Sequence, residues 1–205
     1  MKHITKSYGR QFRMVYRTKY EYLHDAQELA KEIEKHRKAG SIFEEIRLDM
    51  PQIRLNFDRA ENELKHAETM FRVSSNNTLK KELELLESDT FYSGVISHAY
   101  YAIFYATKAV LLKEKTRTKS PNVHKATLDS FAYYFVINGK LDSELLRIYK
   151  SAIIKADSLL GLFLFEKDKR GEFTYQKLPD ANKEPADESI KNAITFLTHV
   201  RKLTS

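Results

Sequence analysis

The sequence contains no cysteine and only six glycines and four prolines among its 205 residues. Without cysteine, the chain can form neither disulfides nor thiolate sites for a metal or a nucleophile. Few runs alternate apolar and polar residues as a half-buried strand would, and the scarcity of glycine and proline leaves few turn signals. The apolar fraction of 42% still suffices for a packed core. These absences favour an all-α domain.

Several motifs of known chemistry are absent as well. The sequence has no Walker A motif, glycine-rich dinucleotide loop, nucleophile elbow or zinc-type spacing. We therefore predict no cofactor and no metal ion. No stretch reaches the roughly 20 apolar residues of a membrane span, and the N-terminal MKHITKSYGRQFR lacks the apolar core of a signal peptide. A soluble, cytoplasmic protein without membrane contact is the expectation.

Positive charge is concentrated at the N-terminus. No acidic residue precedes Glu21, so residues 1–19 carry six of the seven net positive charges. Cations that bind phosphates, interleaved with aromatic rings that stack on bases, are typical of nucleic-acid binding. The same spacing also suits an amphipathic helix that docks on its own protein. The aromatic residues recur every fourth position, at Tyr8, Phe12, Tyr16 and Tyr20, and the predicted nucleic-acid contacts are Arg10, Arg13, Arg17 and Lys19.

The dominant period of apolar residues is that of a helix. Gly40 and Gly139 are predicted to end helices, whereas Ser41 (in a capping box with Glu44) and Asp187 are predicted to cap the starts of two others. The resulting fold class is an all-α antiparallel bundle. The predicted helices cover about residues 18–39, 41–48, 51–73, 79–87, 90–113, 123–137, 142–165 and 187–203.

The stretch SHAYYAIFYATKAVLL, residues 97–112, lies in a helix that presents two different stripes. Small residues and tyrosines on the second stripe suit close packing with a hydroxyl left for a partner. This stripe could pack within the chain, form a homodimer interface or line a ligand site. The core stripe comprises Tyr92, Val95, Ile96, Ala99, Ile103, Ala106 and Val110. The second stripe comprises Gly94, Ser97, His98, Tyr101, Tyr105 and Lys108.

The segment FYSGVISHAYYAIFYATKAVLL resembles the central helix of HEPN domains (higher eukaryotes and prokaryotes nucleotide-binding). The resemblance continues through TKSPNVHKATLDSFAYYFVINGKLDSELLRIYKSAIIKADSLL and into the last helix. It is strongest to the small prokaryotic branch that is often paired with minimal nucleotidyltransferases. The resemblance implies a helical bundle over residues 57–205, preceded by a basic arm and helical extension over residues 1–56.

Nucleases of this family share an Arg-x(4–6)-His motif, which is similar to Arg117-TKSPNV-His124 in this chain. In such nucleases two copies meet across a homodimer, His serves as acid and base, Arg stabilises phosphate charge, and no metal is required. His98 stands where many relatives have arginine. On the second stripe, His98, Tyr101 and Tyr105 are candidate substrate contacts. The resemblance adds Lys155 and Asp157, which lie where relatives have an Arg-x-x-Ala-Asp-Tyr type element.

Two functions follow as hypotheses from this resemblance. The first is a metal-independent endoribonuclease toxin of a toxin–antitoxin or defence system, with Arg117 and His124 as its catalytic residues and RNA or a nucleotide as its ligand. The second is a non-catalytic binding or assembly module that partners a nucleotidyltransferase.

Overall fold

The structure is a computed structural model that describes residues 20–160 and 183–203. Its helices in these ranges are α1 (Ala26–Lys38), α2 (Met50–Ser75), α3 (Asn77–Glu82), α4 (Tyr92–Lys113), α5 (Val123–Phe131), α6 (Ser143–Leu160) and α7 (Lys183–Lys202). A 3₁₀ turn (Glu21–His24) precedes α1, a π-helical segment (Ala132–Ile137) continues α5, and two short strands, β1 (Ile42–Glu44) and β2 (Thr116–Thr118), form an antiparallel pair. The all-α prediction is confirmed.

Helix α4 is the central element, and α2, α5, α6 and α7 all pack against it. Every residue of the predicted core stripe is buried, and every residue of the second stripe is partly exposed. Among the described residues, α4 is also the one helix long and apolar enough to cross a membrane, but 72% of the apolar stretch is buried inside the protein. Its composition is therefore that of a core helix.

The second stripe of α4 packs against α2 of the same chain. A Cβ atom added to Gly94 would come within 2.8 Å of Met70 Sδ, so the absence of a side chain there lets the two helices approach closely. Further along, the Arg59 guanidinium lies 5.6 Å from the centre of the Tyr105 ring. The intrachain packing proposed for this stripe is thus present along the length of α2.

The short helix predicted over residues 41–48 is wrong, because part of this segment pairs with β2 instead. In the ladder, Ile42 lies opposite Thr118 and Phe43 opposite Arg117. The Ser41 hydroxyl donates a hydrogen bond to the Pro121 carbonyl, so it does not cap a helix. A side-chain capping pattern cannot reveal that a strand partner lies more than 70 residues away.

The predicted helix ends are correct at two glycines. Gly40 and Gly139 both have positive φ, at 69° and 68°, which glycine adopts without steric cost. The start predicted at Asp187 is wrong, because α7 is already helical at Lys183 and Asp187 pairs with Lys191 one turn later at 2.5 Å. The end predicted for the sixth helix, near residue 165, lies outside the described residues.

A buried carboxylate joins the segment before α2 to the bundle. Asp129 of α5 is fully buried. It accepts hydrogen bonds from the Tyr22 hydroxyl at 2.7 Å and from Lys125 Nζ at 2.7 Å, and His36 Nε2 lies 2.8 Å from it. Burial, together with the nearby Asp129, raises the pKa of Tyr22, so its hydroxyl stays protonated as a donor. Asp129 thus connects both ends of residues 22–36 to α5, in addition to the buried apolar residues of that segment.

Replacing this carboxylate tests its structural role. We expect Asp129→Ala to lower the free energy of unfolding by about 3–5 kcal/mol, because it leaves buried donors unpaired. Asp187→Ala, which removes an i,i+4 partner whose side chain is 44% exposed, should change it by less than about 1 kcal/mol. Urea denaturation measures both. A loss below 1 kcal/mol in Asp129→Ala would contradict the assignment.

Candidate functional site

His124 lies in the first turn of α5, against the middle of α4. Its Nδ1 atom is 2.6 Å from the Tyr100 hydroxyl, and its ring centre is 4.6 Å from that of Phe104. Burial and the neighbouring Lys108 ammonium both lower the pKa of His124. The imidazole is therefore neutral near pH 7, and Tyr100 fixes its orientation.

Arg117 lies in the middle of β2 and is held by two carboxylates from the segment before α2. Its Nε pairs with Glu45, and its terminal nitrogen is 3.1 Å from Asp49 Oδ2. Its side chain is 35% exposed, so it remains within reach of a ligand. Formation of the β1–β2 ladder places these acidic residues beside Arg117, because the chain after Glu44 continues along β2.

Lys108 interacts electrostatically with both Arg117 and His124. Burial lowers the pKa of Lys108, and the positive charges of Arg117 and Arg59 lower it further. Lys108 in turn lowers the pKa of His124. The Lys108 ammonium also lies 5.6 Å from the centre of the Phe104 ring. Three cations, one each from α2, α4 and β2, thus lie near the Lys108 end of the second stripe of α4, close to His124.

Tyr101 and Tyr105 form an aromatic surface beside this basic region. Their rings stack with centres 6.2 Å apart, and the Tyr101 ring centre lies 6.3 Å from that of His124. Burial raises the pKa of Tyr101, and Tyr105 and Glu63 raise it further. Both side chains are partly exposed. They can offer ring faces to a base and hydroxyls to a polar group.

His98 occupies the same stripe one turn before Tyr101. Its Nδ1 atom is 2.5 Å from Glu63 Oε2, and its ring centre is 5.2 Å from that of His66. Sequence reasoning did not select Glu63 and His66. Their i,i+3 spacing places them on one side of a helix, but nothing in that spacing indicates which helix lies opposite.

The two candidate substrate-binding residues on α6, Lys155 and Asp157, have different neighbours. The Lys155 ammonium pairs with Glu188 of α7 at 2.9 Å, which lowers the pKa of Glu188. Asp157 is buried, and its charge contributes to the raised pKa of Tyr100 after burial and the surrounding tyrosines. Asp157 therefore acts near the Tyr100–His124 pair, whereas Lys155 joins two helices. The predicted nucleic-acid contacts Arg10, Arg13, Arg17 and Lys19 lie outside the described residues.

The region as a whole suits a phosphodiester better than a neutral ligand. Cationic groups can neutralise a phosphate. A neutral imidazole can accept a proton at its unprotonated ring nitrogen, and the imidazolium formed can return it. The exposed stacked rings can contact bases. Two groups of described residues could hold a metal ion, namely Glu63 with His66 and His98, and Glu32 with His36 and Asp129.

Comparison with known proteins gives a family match that covers this region. A family model described as the HEPN domain matches residues 72–203. A Methanocaldococcus jannaschii protein named "Putative toxin" is 29% identical over 119 residues, which is 58% of this chain and 75% of that protein. A second protein of this organism with the same name is 36% identical over 69 residues, covering 34% of this chain and 45% of its own length.

A third relative comes from Thermotoga maritima and is named a UPF0332 protein. It is 30% identical over 119 residues, covering 58% of this chain and 76% of the relative. No solved structure matches the chain significantly. The matched residues 72–203 contain α4, with its aromatic stripe, and both Arg117 and His124. The chain belongs to the HEPN domain family.

Proposed function

We propose that this HEPN-domain protein is a toxin that cleaves RNA. The names of its two Methanocaldococcus jannaschii relatives support a toxin role. The arrangement that carries the proposed chemistry is His124, neutral and oriented by Tyr100, beside Lys108 and its cationic neighbours Arg59 and Arg117.

In the proposed reaction, an RNA 2′-hydroxyl attacks the adjacent phosphorus. His124 accepts the hydroxyl proton at Nε2, in the tautomer whose Nδ1–H donates to the Tyr100 hydroxyl oxygen. The new O2′–P bond forms while the P–O5′ bond breaks, and the imidazolium formed at His124 returns its proton to O5′. The cations offset the extra negative charge that develops on the phosphate oxygens. A homodimer, as in family nucleases, would bring the Arg117 and His124 side chains of two copies together.

Arg117 can bind a phosphate with its whole guanidinium only after it releases two carboxylates, because Glu45 and Asp49 already pair with it. An RNA phosphate must compete with these two carboxylates for the guanidinium. The segment between β1 and α2 would thus reduce the affinity of the resting protein for RNA. This is a reason for a toxin to be weakly active until the segment moves.

The same ion pairs favour a second candidate function. If Arg117 serves only to hold the segment before α2, the protein is a binding or assembly module without catalysis. His98 in the position where many relatives have arginine points in the same direction. A minimal nucleotidyltransferase would be the proposed partner of such a module.

Substitution of His124 distinguishes the two candidates. We expect the wild-type chain to cleave single-stranded RNA in the presence of a chelator, and His124→Gln to lose about 10²–10⁴-fold in rate, because general acid–base catalysis contributes about that much. The exposed His199 of α7 provides the matched control, and His199→Gln should cleave normally. Cleavage that persists in His124→Gln would contradict the assignment, and no cleavage by the wild type would favour the module.

Neutralising the carboxylates beside Arg117 tests whether they mask it. We expect the double variant Glu45→Gln, Asp49→Asn to bind RNA more tightly, with a salt dependence steeper by about 0.7 in log–log slope, because one more phosphate contact forms. Glu44→Gln is the control, since Glu44 pairs with Arg37 and is exposed. Fluorescence anisotropy over a salt series measures the slopes. A double variant that behaves like the control would show that Arg117 contacts no phosphate.

The pH dependence of cleavage tests the role of Lys108. Because Lys108 lowers the pKa of His124, Lys108→Gln should raise that pKa. Cleavage that needs neutral His124 rises as pH increases through this pKa, so the acidic limb of the rate profile should move to higher pH. NMR titration of the imidazole protons gives the pKa independently. An unchanged pKa would contradict the proposed proximity.

A further inference from the structure

Three side chains that the sequence did not connect meet between α2 and α4. Glu63, His66 and His98 each offer one ligand atom, and these three atoms lie within 4.8 Å of one another. We propose that they bind one divalent metal ion that favours nitrogen and oxygen ligands, such as Zn²⁺. Two imidazoles and a carboxylate are a donor set that zinc uses in proteins. The proposal does not depend on the proposed RNA cleavage.

The packing of the two helices explains why these side chains meet. Gly94 and His98 are one turn apart on α4, and His66 and Met70 are one turn apart on α2. Met70 lies against Gly94, and His66 lies against His98. These two contacts run in opposite directions along the chain, so the helices are antiparallel. The close approach at Gly94 brings the next turn of both helices within ligand distance.

The relative position of the two histidines is the strongest geometric indication of a metal site. Imidazoles bound to one tetrahedral zinc through bonds of about 2.0–2.1 Å have ring centres about 5 Å apart. The His66 and His98 rings have centres 5.2 Å apart, at an interplanar angle of 68°. Glu63 Oε2 lies 2.5 Å from His98 Nδ1. Ligand atoms around zinc are separated by about 3.3 Å, so binding requires that contact to open by less than about 1 Å.

The surroundings allow an ion to enter and bind. His66 is exposed, and Glu63 and His98 are partly exposed, with side chains 24% and 28% accessible. Three protein ligands leave one coordination position for water or a substrate. The site therefore has the composition of an open metal site.

The second group of histidine and carboxylate side chains differs from the first, because a lysine of the protein already occupies it. Glu32, His36 and Asp129 also bring their ligand atoms together. There, the Lys125 ammonium already contacts Glu32 at 2.6 Å and Asp129 at 2.7 Å. Hydrogen bonds from Lys125 and Lys35 outweigh the effect of burial and hold the pKa of Glu32 at about 2. A cation of the protein neutralises this group, so we assign it a structural role and no metal.

Calorimetric titration of the untagged, chelator-treated full-length chain with Zn²⁺ tests the proposal. We expect one ion per chain and an increase in melting temperature on binding. Single variants Glu63→Gln, His66→Gln and His98→Gln should each bind at least about tenfold more weakly, because even outer-shell changes weaken metal binding by about 10–100-fold. His199→Gln is the matched control and should bind as the wild type does.

Absorption measurements on the wild-type chain keep the test independent of whether a variant folds. Co²⁺ in place of Zn²⁺ should give visible bands of a four- or five-coordinate ion, and X-ray absorption of the zinc form should show two imidazoles. No binding, binding unchanged in all three variants, or bands of an octahedral aquo ion would overturn the proposal. Because binding is read without RNA, failure of the cleavage assay leaves this result unaffected.

Discussion

The constraint on which the structure depends is the burial of α4. Its apolar and small residues face almost every direction, so a single stripe cannot bury them and the helix must be surrounded. Helices α2, α5, α6 and α7 provide that cover. The stripe that packs less completely, from Gly94 to Lys108, is where polar chemistry becomes possible, because its side chains have both a rigid support and access to water.

Because α2 runs antiparallel to α4, different residues of α2 face the two ends of this stripe. Near Gly94, where the helices come closest, Glu63, His66 and His98 converge. Nearer Lys108, α2 contributes Arg59, which with Arg117 lies close enough to lower the pKa of the buried Lys108, and Lys108 acts in the same way on His124. One end of the stripe therefore carries the proposed metal ligands, and the other end carries the proposed phosphate-binding cations beside His124.

The segment before α2 has buried apolar residues, and polar contacts also join it to the bundle at two points. The buried carboxylate of Asp129 fixes its first part, and the guanidinium of Arg117 fixes its last part through Glu45 and Asp49. These attachments differ in kind. A fully buried acceptor with three polar neighbours is costly to break. Ion pairs at a residue 35% exposed contribute less, so they can be exchanged for a phosphate. In the proposed function, the segment before α2 would stay folded while Arg117 exchanges its carboxylate partners for a phosphate.

The sequence by itself determined the helical fold, the two stripes of α4 and the ends at Gly40 and Gly139, because helical period and glycine conformation are local properties. It also indicated Arg117 and His124 through the family resemblance. Only the tertiary structure decided that residues 42–44 form a strand and that Arg117 meets Glu45. It also decided that Glu63 and His66 face His98. Each of these depends on which distant segments become neighbours, and a periodic pattern on one helix carries no information about its partner.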